Sequence, residues 1–177
     1  MAFGKAFGAA LGLYAALNFG LSLVVVAVGN PNGLVASLTL NNILLSIFEP
    51  AIYSPAAGFI NIAGITSSSS NWMGPLFNAL YLILPPILAG LIAGKLAEEP
   101  KSAFGAWFLV PILFAVVTLI VFDLVQGVQS QFNLNLLNFA LTTLASQQLT
   151  YVAIYCILVG LVNGLMWSGL ACAVTGP

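Results

Sequence analysis

The chain contains no histidine and no arginine, and only seven of its 177 residues carry a formal charge: Lys5, Glu49, Lys95, Glu98, Glu99, Lys101 and Asp123. Without imidazole, the usual haem ligation, most metal centres and the nucleophilic triads that rely on histidine are excluded within this chain. Without arginine or a basic patch, phosphate neutralisation has nothing to work with, so nucleic-acid binding is excluded as well. There is no glycine-rich phosphate loop followed by Lys and Ser or Thr. The one close carboxylate pair, Glu98 with Glu99, sits between Lys95 and Lys101 and reads as a solvated turn. Cysteine is scarce too. Cys156 and Cys172 fall on one expected helix, about 24 Å apart at 1.5 Å per residue, too far to bridge. No enzyme and no cofactor are expected.

What the chain does have is apolar surface: 61% hydrophobic residues and a mean hydropathy of +1.11, outside the range of water-soluble domains. An ionised side chain at the bilayer centre costs at least about 2.5 kcal/mol, so the long uncharged stretches belong in hydrocarbon. A span needs about 20 mostly apolar residues. Four segments meet this: Ala9 to Gly29, Leu76 to Leu96, Ala103 to Val125 and Leu149 to Ala173. The start resembles a secretory leader, with a lysine, an apolar run and small residues at Ala27 and Gly29, but it is expected to remain as a helix. Lys5, Lys95 and Lys101 all fall on one side once the spans alternate. The positive-inside rule makes that side cytoplasmic, giving a multi-pass protein of the cell membrane with both termini inside. Connectors of about Asn30 to Pro75 and Gln126 to Gln148 are then external.

The two halves resemble each other. Ala79, Tyr81, Ile83, Leu84, Gly90, Leu91, Leu96 and Ala97 recur as Ala153, Tyr155, Ile157, Leu158, Gly164, Leu165, Leu170 and Ala171 at a constant offset. The run from Lys5 to Ala9 also resembles Lys101 to Ala106. The expected fold is therefore an all-α membrane domain over residues 1–177, built as two tandem helical hairpins, about 5–99 and 101–173, related by a pseudo-twofold along the membrane normal. In the second connector Asn135, Asn138, Thr142 and Ser146 have helical spacing, and the first has a comparable run from Leu34 to Phe48 before Pro50 and Pro55. Short interfacial helices are expected there, with re-entry into the bilayer as the alternative.

Small residues recur every four positions at Gly4, Gly8 and Gly12, at Gly90 and Gly94, and at Gly160, Gly164 and Ser168. They are candidate helix-packing positions, because small side chains let helices approach closely in lipid. Pro85 and Pro86 remove adjacent backbone donors mid-span and predict a kink. Asp123, near the outer end of the third span, and the amides Asn18, Asn78 and Asn163 are the candidate intramembrane polar positions. Glu49 reads as a solvated helix end. External connectors with so little ionisable acid would tolerate acidic surroundings, and an acidophilic, archaeal source is an expectation from this charge pattern. The expected function is a non-catalytic structural or accessory subunit, partnered by the lipid bilayer and by other membrane subunits or copies of itself. A small channel or transporter is the alternative.

Overall fold

Runs of leucine, isoleucine, alanine and phenylalanine without charge leave the backbone no hydrogen-bond partner in lipid except itself, so each span closes into a helix. In the computed structural model, which describes residues 2–29, 40–52, 55–67, 72–124 and 149–175, the order is α1 (Ala2–Gly29), α2 (Leu40–Phe48), a single 3-10 turn (Glu49–Ile52), α3 (Pro55–Ser67), α4 (Met73–Leu96), α5 (Pro100–Leu124) and α6 (Leu149–Ala173). The described residues are all-helical, and α1, α4, α5 and α6 are long and apolar enough to cross a membrane. The second connector and residues 68–71 lie outside the described residues.

Helix α1 begins seven residues before the expected span, and includes Lys5, because a helix continues into the headgroup region after its apolar stretch has ended. Pro100 opens α5, where a missing amide hydrogen costs nothing, and Ala97 leaves the helix in an extended conformation. That gives a tight joint between α4 and α5. Gly105 of α5 packs against Phe3, and the Cys172 thiol lies 3.3 Å from the Pro100 carbonyl. The start of α1, the joint and the end of α6 therefore meet at one end of the bundle, which also carries the exposed Lys5, Lys95 and Lys101. Helix α4 continues through Pro85 and Pro86, both buried, as one helix, and α5 does the same through Pro111.

The lysine-bearing half has an alanine core. Ala6, Ala10, Ala89, Ala93, Ala103, Ala106 and Ala171 bring the spans close together around Trp107, Val110 and Phe114. The Tyr14 ring meets Trp107 edge-on at 5.5 Å and Phe114 at 4.9 Å. Large apolar side chains point the other way: Leu109, Leu113, Val116 and Ile120 on α5, and Ile154, Leu158, Val162 and Leu165 on α6, are exposed. A small-inside, large-outside distribution suits lipid and would be a liability in water.

Helix α1 packs most closely with α4, and α5 with α6, while α1 borders α5 and α4 borders both α5 and α6. Helices α1 and α6 barely meet; α2 packs on α1 and the 3-10 turn on α6. The α2 part of the first connector packs against α1 and α5. It enters the bundle, and α3 returns along α4 with Gly58 set against Leu82 and Ile83.

Candidate functional site

The most unusual local chemistry lies where α2 ends inside the bundle. A chain that stops one helix and starts another leaves carbonyls without partners, which is costly in a region without water. Three spans supply the missing donors. The Asn18 side-chain amide of α1 donates to the Ile47 carbonyl at 2.8 Å. The Asn163 amide of α6 donates to the Ala51 carbonyl at 2.8 Å, and the Tyr81 hydroxyl of α4 donates to the Ser46 carbonyl at 3.2 Å. The Ser46 hydroxyl turns back to the Ile43 carbonyl at 2.8 Å. Ala51 is wholly enclosed and Pro50 is buried.

Depth follows from the helix register. At 1.5 Å per residue, Asn18 lies about 4 Å from the centre of α1, Asn163 about 3 Å from the centre of α6 and Tyr81 about 5 Å from the centre of α4. The tip of this re-entrant segment, Ile47 to Ala51, is therefore clamped near mid-bundle.

Of the expected polar positions, Asn18 and Asn163 come together on this tip, although neither is the repeat counterpart of the other. Asn78 is half-exposed on α4 and takes no part in the three bonds. Asp123 sits on the last turn of α5, far from the tip, and its side chain lies outside the described residues. Tyr81 and Ser46 were missed by sequence reasoning. A tyrosine inside a span was itself a signal, since a buried phenol needs a partner for its hydroxyl.

Among the described residues three enclosed polar atoms have no hydrogen-bond partner: Asn18 Oδ1, Trp107 Nε1 and Trp167 Nε1. The Tyr14 hydroxyl is close to the Asn18 amide, one turn earlier on α1. Among the described residues no three His, Cys, Asp or Glu gather at one place.

The candidate packing glycines fall into two sets. A methyl group added at Gly94 would collide with the Ala171 carbonyl, and one at Gly164 would stand 2.9 Å from the Phe108 ring and 3.0 Å from its carbonyl. At Gly160 the obstacle is Ala115 Cβ at 2.9 Å, and at Gly90 the Trp167 carbonyl lies at 3.6 Å. Gly4, Gly8, Gly12 and Gly20 have nothing within 4 Å, and together with Ala16 they form an exposed stripe along the outer face of α1. Comparison with known proteins places the chain in no group: no family model, no curated protein and no solved structure matches it.

Proposed function

We propose that this protein is a non-catalytic structural subunit of a membrane assembly, joined to copies of itself or to other membrane subunits through the outer face of α1. The observation that carries this reading is the exposed run of Gly4, Gly8, Gly12, Ala16 and Gly20. Four-residue spacing keeps these positions in one ridge about 24 Å long at 1.5 Å per residue. Glycine costs about 0.8–1.0 kcal/mol relative to alanine inside a helix, so the four glycines on this lipid-facing surface are an expense unless another backbone approaches them. In lipid, small-residue ridges of this kind support close helix crossings through dispersion contacts. The exposed lysines at one end put that end in the cytoplasm by the positive-inside rule, and with it both termini.

The test is the association state of the full chain in lipid. Association that is lost in Gly8→Leu and Gly12→Leu, with the monomer fold intact, supports the reading; a monomer at every protein-to-lipid ratio removes it. A second reading, a small channel or transporter, draws support from the clamped re-entrant tip, because non-helical backbone at membrane depth commonly lines a polar path.

A further inference from the structure

We propose that the joint-end half of the bundle binds an ordered water molecule beside Gly90, held between the Trp107 indole N–H and the Trp167 carbonyl; this site goes beyond the assembly reading and does not depend on it. Gly90 of α4 is buried, and its surroundings differ from those of the other inner glycines. A methyl group added at Gly94 would overlap Ala171, and one at Gly160 or Gly164 would stand 2.9 Å from a neighbour, so close approach requires glycine there. At Gly90 the same methyl meets the Trp167 carbonyl oxygen at 3.6 Å and Trp107 Cδ2 at 4.0 Å, both ordinary contacts, and among the described residues no other atom of the neighbouring helices lies within 4 Å. Alanine fits this position and is the better helix former. Close approach therefore does not explain the glycine, whereas a ligand seated in the methyl-sized space does.

That space has a donor on one side and an acceptor on the other. Cδ2 belongs to the ring of Trp107 that carries Nε1, and this N–H is enclosed without a hydrogen-bond partner. Burying an unpaired N–H forfeits its bond to solvent, so it needs an acceptor. Opposite it, the Trp167 carbonyl uses one of its two lone pairs within its own helix and keeps the other. The Trp167 indole N–H is also unpartnered, and Trp107 and Trp167 belong to one core cluster at 0% and 8% exposure. The three residues share a level: Gly90 lies about 9 Å along α4 from Leu96, Trp107 about 10 Å along α5 from Pro100 and Trp167 about 9 Å along α6 from Ala173, at 1.5 Å per residue.

The chemistry of these walls selects water. An anion would face the carbonyl oxygen and a metal ion would face the indole hydrogen, so neither suits both. A ligand that accepts from the N–H and donates to the carbonyl satisfies both, and a methyl-sized space admits nothing larger than water. Small polar sites inside proteins hold ordered water, whereas spaces lined only by carbon stay dry. The site lies in the alanine and tryptophan cluster on which Ile47, Phe48 and Ala51 of the re-entrant tip pack.

The full-length protein in liposomes is exposed to a synchrotron X-ray pulse, which generates hydroxyl radicals from water in place, and oxidised residues are mapped by peptide mass spectrometry in the parent and in Gly90→Ala. Trp107 is expected to be oxidised in the parent well above Phe114, which is equally enclosed. It should lose that reactivity in Gly90→Ala, whose methyl takes the place of the water. Trp72, which is exposed, reports the rate with open access and should not change. The melting temperature of Gly90→Ala should stay level or fall, because the Trp107 N–H loses its partner. Three results would overturn the proposal: Trp107 as unreactive as Phe114 in the parent, Trp107 oxidation unchanged in Gly90→Ala, or a higher melting temperature in Gly90→Ala, the mark of alanine filling a dry space. Mapping on the parent chain needs no variant to fold.

Discussion

Glycines at one spacing meet opposite surroundings in two parts of this molecule. On α4 and α6, Gly90, Gly94, Gly160 and Gly164 are filled against Trp167, Ala171, Ala115 and Phe108, whereas on α1, Gly4, Gly8, Gly12 and Gly20 face open space. The first set serves the monomer, since without it α4 and α6 could not approach each other or α5. The second set contributes nothing to the monomer, so its cost in helix propensity has to be offset outside it. A four-residue pattern announces close approach but not the identity of the approaching helix; that depends on which way the face turns.

The comparison can be broken from the inside first. Gly94→Leu and Gly164→Leu place a side chain against backbone carbonyls that have no rotamer to yield. Each should destabilise the monomer by about 1–3 kcal/mol or more, as overpacking does, read as a lower melting temperature in detergent. If either variant melts like the parent, the inner glycines are not contact positions.

Next in size are the clamps. Asn163→Leu strands the enclosed Ala51 carbonyl and should cost about 1–3 kcal/mol. Asn18→Leu strands the Ile47 carbonyl but also removes an acceptor that has no partner, so its loss should be the smaller of the two. Equal losses would mean that Asn18 Oδ1 is satisfied in the native membrane. Smallest is Gly8→Leu: melting of the monomer should stay level or rise by up to about 0.8 kcal/mol, the propensity difference from glycine, while association falls.

The four long apolar helices were legible because hydropathy is a property of the linear chain. The re-entrant tip was not. The apolar run ending at Phe48 and the breaks at Pro50 and Pro55 were visible, but whether a short apolar run lies on the bilayer or inside protein depends on cover from other spans. Asn18 and Asn163 were recognisable as amides needing partners, yet nothing in the sequence said that both partners belong to one connector. The repeat was read from identities on α4 and α6, and those identities alone say nothing of how α2 packs beside α1. The second connector, with its expected short helix, lies outside the described residues.

Association through α1 is the central claim, and energy transfer between donor- and acceptor-labelled full-length chains in liposomes measures it most directly. The account predicts transfer for the parent protein that fades as unlabelled chain is added, and its loss in Gly8→Leu and Gly12→Leu at unchanged melting temperature. Transfer that persists in both variants, or that is absent in the parent, would contradict it.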